Sequence, residues 1–349
     1  MKILMVTSRF APYSGGVERH LAGVCSELQA MGHHVDVLTF QGLGVEKVSE
    51  SGDKKYETPS IESVDGGVLV FLLLGSGPSR NGQLQAAAWA LQHTRLLKTY
   101  DIIHGHDLVF WALQRFAPKA RRYLTFHGYE AYPVSAESKE RKMAMQASVQ
   151  GAMCAGSFIE RWFGVTCDVV EWGAYTPPAR VSPVTSDYCF VGRLAEDTGC
   201  REYIEALVAH VKTNPKLNVV ICGDGTLRQE LEELAEGTPI TFTGNVSNPS
   251  DYIAGTGVVL TSGYLGMLEA LYAEKPVVAF AGNPLKEDYV RSAPYADDIS
   301  IATNPSELLQ ALIHAPKTDA DALKRGKEFA EAATYPALAG CYINLWETK

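Results

Sequence analysis

The chain has 349 residues, long for one domain and comfortable for two. Hydrophobic residues make up 46% and charged residues 20%, so each half can bury a core and disorder is not the default. A net charge of −9 argues against nucleic acid as a partner, and no apolar run reaches the roughly 18 residues of a membrane span.

Lys2–Thr7 is a short apolar run with no small-residue cleavage site after it, so it reads as a buried first strand rather than a signal peptide. A cytoplasmic protein is the expectation. Beyond a loop through Gly15 and Gly16, Val17, Leu21, Val24, Leu28 and Met31 recur at three- and four-residue spacing. That predicts an amphipathic helix stopping at Gly32, followed by a strand over 35–39 and hence one right-handed β-α-β unit. Residues 42–66, rich in Gly, Ser and charge, predict a loop or weak hairpin. Strands over 68–74, 102–104 and 123–126 and a helix over 84–97 continue the pattern.

Three prolines between Ala174 and Pro183, without hydrophobic period, read as a linker. They set expected domains of 1–178 and 179–334. In the second, strands fall over 188–191, 218–222, 240–242, 258–260 and 276–280, and helices over 201–212, 226–234 and from Gly266 to Tyr272. The segment 335–349 carries a detached helix expected to cross back to the first half. The fold class is α/β, with two Rossmann-like parallel-sheet domains facing a central cleft.

Seven scattered cysteines without a C-x-x-C pair argue against a disulfide framework or a zinc site. Residues 1–180 hold 18 Lys and Arg against 17 Asp and Glu, while the remainder holds 13 against 23. Two basic clusters in the first half, Arg115/Lys119/Arg121/Arg122 and Lys139/Arg141/Lys142, read as a solvated face. Contact with anionic lipid at the inner membrane face is the alternative.

Ligands of open parallel sheets bind beyond the carboxyl ends of the strands, where helix N-termini aim N–H groups at anions. Gly15 and Gly16 sit at such a point, although the pair alone lacks the full dinucleotide fingerprint and reads first as a plain tight turn. In the second half Gly192-Arg193 follows a strand, placing a cation where it would meet a diphosphate. Gly223 and Gly244-Asn245-Val246 repeat the strand-then-glycine design, the latter suited to a flat base. Glu269, flanked by apolar residues two turns into a helix, could accept from both ribose hydroxyls; a surface glutamate is the alternative. His104 and His106, two apart on a strand, share a face and could bind metal, but no third ligand is evident.

In order and spacing these segments resemble the retaining GT-B glycosyltransferases of family 4. The specific pieces are Val191-Gly192-Arg193-Leu194, Gly223-Asp224-Gly225-Thr226-Leu227, and Leu268-Glu269-Ala270-Leu271 with Lys275-Pro276-Val277-Val278-Ala279. The resemblance implies that Gly16 approaches the donor, Arg193 holds its diphosphate, Gly244 to Val246 lie by the base and Glu269 binds the ribose. His127 matches the family's cleft histidine beside the transferred sugar, and Glu18, His106 and Asp107 are expected on the acceptor side. Two positions depart from the pattern. Thr198 stands where the family has a phosphate-binding lysine, and Thr261 where it has a first glutamate, leaving Gly263, Tyr264 and Leu265 to offer backbone N–H groups.

The implied reaction moves a hexose from a UDP- or GDP-linked donor to an acceptor hydroxyl, on a sugar, a lipid-linked glycan or another molecule, with retention. It needs neither cofactor nor metal and belongs to glycan, glycolipid or polysaccharide biosynthesis. A catalytically silent nucleotide-sugar-binding subunit and a sugar-nucleotide epimerase of the same fold are the alternatives.

Overall fold

The computed structural model describes residues 1–10, 15–41, 62–64, 68–74, 80–128, 131–176, 185–246 and 248–349. The expected loop before Gly15, most of the 42–66 segment and the boundary at 178/179 lie outside them.

The first sheet is built from β1 (Lys2–Thr7), β2 (His34–Gln41), β3 (Glu62–Val64), β4 (Val68–Leu74), β5 (Ile102–His106), β6 (Arg121–Phe126), β7 (Gly151–Ala155) and β8 (Val169–Glu171). Its order is β3-β4-β2-β1-β5-β6-β7-β8. All neighbours are parallel except β3, which pairs antiparallel with β4. The helices between them are α1 (Gly16–Ala30), α2 (Arg80–Gln92), α3 (Thr94–Leu97), α4 (Trp111–Phe116), α5 (Ala136–Ala147) and α6 (Phe158–Phe163). β1 is sealed on both faces from Ile3 to Thr7, which is why its sequence is continuously apolar rather than alternating. The helix expected over 84–97 is two: the chain breaks after Gln92, where His93 Nδ1 bonds back to the Trp89 carbonyl at 2.8 Å.

The second sheet holds β9 (Ser186–Val191), β10 (Val219–Cys222), β11 (Ile240–Gly244), β12 (Thr256–Leu260), β13 (Val277–Phe280) and β14 (Ser300–Ala302). Its order β11-β10-β9-β12-β13-β14 reverses direction at β9, so the ligand crevice of this half opens between the ends of β9 and β12. The accompanying helices are α7 (Cys200–Thr213), α8 (Arg228–Leu234), α9 (Pro249–Ala254), α10 (Tyr264–Tyr272), α11 (Pro284–Arg291), α12 (Pro305–His314) and α13 (Ala320–Ala332). Asn283 and Asn304 cap α11 and α12, each accepting an N–H two positions into its helix.

The last helix, α14 (Tyr335–Thr348), crosses back to the first sheet as expected. Tyr335, Leu338, Ala339, Tyr342, Leu345 and Trp346 form its buried stripe, packed in one cluster with Ile3, Met5, Leu21 and Val24. Trp346 is fully buried, and its Nε1 donates to His104 Nδ1 at 3.0 Å. The Trp346 carbonyl accepts from Arg121 and, at 3.1 Å, from Tyr123 Oη. Opposite Tyr335, Gly23 leaves no room for a Cβ, which would strike the tyrosine ring.

The basic clusters are only partly a solvated face. Lys142 is buried and pairs with Asp107 at 3.2 Å, and Arg121 is spent on α14; Arg115, Lys119, Lys139 and Arg141 remain exposed. Among the described residues no helix is long and apolar enough to cross a membrane. All seven cysteines are free, although Cys189 and Cys222 on adjacent strands bring their sulfurs to 3.8 Å.

Candidate active site

In the second half, the glycines at the strand ends are first of all packing devices. A Cβ on Gly223 would collide with the Gly192 carbonyl, and one on Gly225 with the Leu194 carbonyl. Gly223 N–H donates to the Gly244 carbonyl at 3.0 Å, and Gly244 sits at φ +72, where glycine carries no steric cost. Asn245 leaves this turn exposed, with Val246 half-buried beside it.

Arg193 leaves β9 with an exposed side chain, and its Nη2 donates to Asp197 Oδ2 at 2.7 Å. Thr198 closes its own turn, donating to the carbonyls of Arg193 (2.9 Å) and Ala195 (2.7 Å).

Helix α10 begins two residues before the expected Gly266, with Gly263 as its N-cap. Gly266 instead packs over Thr261, whose Oγ1 would lie 2.6 Å from an added Cβ. The expectation for Tyr264 needs correcting. Its N–H is taken by Tyr289 Oη at 3.0 Å, its ring stacks on Tyr289 at 4.0 Å, and its own hydroxyl donates to the Tyr289 carbonyl. Gly263 faces open space and Leu265 is half-buried, so the loop's room for a ligand lies around them. Glu269 is 4% exposed, and its Oε1 accepts from Ser250 Oγ at 3.2 Å and from Arg19 Nη2 at 2.5 Å.

That arginine comes from α1 in the other half. Gly15 is the N-cap of α1 and Gly16 its first residue, with open space beside Gly16; the Glu18 carboxylate folds over Gly15. On the far side of the cleft, α6 meets α11: Arg161 grips Asp288 with two hydrogen bonds of 2.8 and 2.7 Å, and Phe158 packs edge-on against Tyr289.

Behind α1 the ends of β5 and β6 collect a group of imidazoles. His106 Nδ1 lies 2.8 Å from His127 Nε2, and His20 Nε2 lies 2.8 Å from Tyr342 Oη. His20, His106 and His127 each bring a ring nitrogen within 4.8 Å of the others, a third imidazole that the His104/His106 pair lacked in sequence. The 2.8 Å separation is hydrogen-bond spacing, shorter than the about 3.3 Å between two nitrogens sharing a tetrahedral zinc. Sequence reasoning passed over His20, yet its position three residues after Val17 and four before Val24 puts it on the buried stripe of α1.

Burial pushes His20, His104 and His106 well below the usual histidine range, and burial with the nearby Lys142 ammonium takes His127 to about 3. All four are neutral at pH 7. Among the described residues His106 Nε2 is buried without a partner, which is tolerable for a lone pair and costly for an N–H. The network therefore assigns the His106 proton to Nδ1, where it is donated to His127 Nε2, and the His127 proton to Nδ1. Asp107, held at φ +50, accepts from the His127 N–H at 3.1 Å and from Lys142 at 3.2 Å. His106 and Asp107 thus brace His127, and the Asp107 side chain stays partly exposed.

Residues 14–167 match Glycosyltransferase Family 4, and residues 185–315 match Glycosyl transferases group 1. A GDP-mannose-dependent alpha-(1-6)-phosphatidylinositol dimannoside mannosyltransferase of Mycobacterium tuberculosis is 23% identical over 345 residues, covering 91% of this chain and 87% of that protein. An alpha-D-kanosaminyltransferase of Streptomyces kanamyceticus is 39% identical over 101 residues, 26% of each chain. In fold, the sucrose-phosphate synthase of Thermosynechococcus elongatus superposes with a TM-score of 0.75 at 16% identity, over 99% of this chain and 98% of that one. The two family matches fall one on each half, in order, and the chain belongs to the family 4, group 1 glycosyltransferases of GT-B fold.

Proposed function

We propose that this glycosyltransferase moves a hexose from a GDP- or UDP-linked donor to an acceptor hydroxyl with retention of configuration. The observation that carries the reading is the Arg19–Glu269 bridge, because a 2.5 Å contact means that helices α1 and α10, which follow β1 and β12, border one shared space. In that space Glu269 would exchange Arg19 for the ribose hydroxyls, and Arg193 would exchange Asp197 for the diphosphate. Gly192 and Gly223 shape the floor, and Gly244, Asn245 and Val246 border the base. Gly15, Gly16, Gly263 and Leu265 border the phosphates and sugar. His127 presents its Nδ1–H to the transferred sugar, and Glu18 stands on the acceptor side.

In the reaction, the bond from the anomeric carbon to the phosphate oxygen breaks as the acceptor oxygen attacks the same face. The acceptor proton passes to the departing diphosphate oxygen. No protein nucleophile is needed; the chain's part is to position the reactants and to meet the growing diphosphate charge with Arg193 and backbone N–H groups. On this reading no divalent cation is required. GDP-mannose and a glycolipid acceptor are the first pair to test, following the name of the mycobacterial relative. The reading places the enzyme in the cytoplasm, where the exposed Arg115, Lys119, Lys139 and Arg141 could meet anionic lipid.

The test is thermal unfolding with GDP, UDP, dTDP and CDP, without added metal. A diphosphate at a hundredfold its Kd adds about 2.7 kcal/mol and raises Tm. The shift should shrink in Arg193→Ala and Glu269→Ala; no shift with any diphosphate would overturn the donor reading. Proton NMR of the product with the matching donor then reads the anomer, and an inverted centre would overturn retention.

A further inference from the structure

Lys286 sits in the first turn of α11, on the loop entered from β13, and its side chain turns back along the strand ends. Its Nζ donates to the Ser262 carbonyl at 2.6 Å and stands 4.1 Å from the centre of the Tyr289 ring. Both contacts favour a cation, but neither carries a formal negative charge. Among the described residues no carboxylate lies within ion-pair distance of this nitrogen, whereas the neighbouring cations Arg291 and Arg193 each have one. Burial pulls the ammonium down to about 8, and Arg193 pushes the same way while Asp197 opposes. Lys286 therefore shares a field with the two residues that leave β9.

The topology explains the meeting. β9, β12 and β13 are consecutive in the sheet, so Arg193, Ser262 and Lys286 come from three adjacent strand ends at the crevice. β9 and β13 lie two strand spacings apart, about 10 Å, which a diphosphate can span between two side-chain cations. Thr198, at the position where the family carries its lysine, brings only a hydroxyl already spent on two carbonyls. A half-buried cation without a counter-ion is costly on its own and becomes favourable when an anion joins it.

We propose that Lys286 is the second cation of the donor-diphosphate site, supplying from β13 the charge that Thr198 does not, so that the phosphates are held between Arg193 and Lys286. This rests on the donor reading above and adds a residue to it.

The experiment is titration calorimetry of the full chain with GDP, UDP and the matching free nucleosides. It compares wild type with Lys286→Met and, should that variant fold poorly, Lys286→Gln. A charge-assisted phosphate contact is worth about 10- to 100-fold in affinity. Lys286→Met should lose that much for the diphosphate and less than about twofold for the nucleoside, with an unliganded Tm equal to or above wild type. Unchanged diphosphate affinity, or an equal loss for nucleoside and diphosphate, would overturn the role of Lys286. Wild type binding neither diphosphate would instead overturn the donor reading itself.

Discussion

The four buried imidazoles make the first half sensitive to mild acid, and the size of the effect can be worked out. His20, His104, His106 and His127 titrate near 6.5 when unfolded and well below it when folded. The unfolded chain therefore binds their protons first. Their contribution is fully present above about pH 6.5 and is lost as pH falls below it. Between pH 7.5 and 5.5 each ring costs about 1.4 kcal/mol, on the order of 5 kcal/mol for four. Glu171 opposes them. Burial raises its carboxyl to about 7, so the folded state takes up its proton over the same window and recovers about 2 kcal/mol. His210, also lowered by burial, adds to the loss. The expected net change is a loss of about 4 kcal/mol, before ordinary carboxylates titrate. Urea unfolding followed by tryptophan fluorescence at pH 7.5, 6.5 and 5.5 measures it. His106→Gln should flatten the dependence by about one proton. Equal stability at pH 7.5 and 5.5, or a His106→Gln slope equal to wild type, would refute the account of these rings as a buried neutral group.

Three further outcomes follow from single contacts. Arg19→Met should destabilise the apo protein by about 1 to 3 kcal/mol by stripping a buried carboxylate of its cation, discounted because Arg19 is one-third exposed. The double variant with Glu269→Gln should recover most of that loss, and additive effects in denaturant unfolding would show that the two residues are uncoupled. Trp346→Ala, removing a fully buried indole and its bond to His104, should cost about 3 to 5 kcal/mol; a Tm within 2 °C of wild type would mean that α14 is not part of the first core. His106→Leu removes the donor that fixes the His127 tautomer, so kcat should fall about 10-fold or more with KM nearly unchanged, and an unaltered kcat would separate His106 from the site.

Much of this arrangement was legible because burial writes continuous apolar runs into parallel strands. β1, β4 and β9 read directly, and Glu269 drew notice because its apolar flanks left it no solvated face. Short elements did not read. The six residues of α6 are too few for a helical period, and β7, Gly-Ala-Met-Cys-Ala, is buried throughout yet made largely of small residues. His20 was hidden by success elsewhere, since its place on an apolar stripe invites a packing role. Lys142 looked like one of a solvated trio because its partner, Asp107, lies 35 residues away on a different element. Lys286 shows no local pattern at all. Its significance comes from three strand ends that the topology alone makes adjacent.

The polar groups expected to hold the donor are, in the unliganded chain, held by one another. Glu269 has Arg19 and Ser250, and Arg193 has Asp197. Each internal partner satisfies a charge that would otherwise stand alone, and on the donor reading proposed above each would give way to a ribose or phosphate oxygen. Donor binding is then an exchange of partners rather than a filling of empty valences, and its net free energy is the difference between two sets of charge-assisted bonds. Only one of these exchanges, Arg19 leaving Glu269, crosses between the two halves. On the donor reading proposed above, arrival at the ribose site would release a contact that ties α1 to α10, while the Arg161–Asp288 pair takes no part in the exchange.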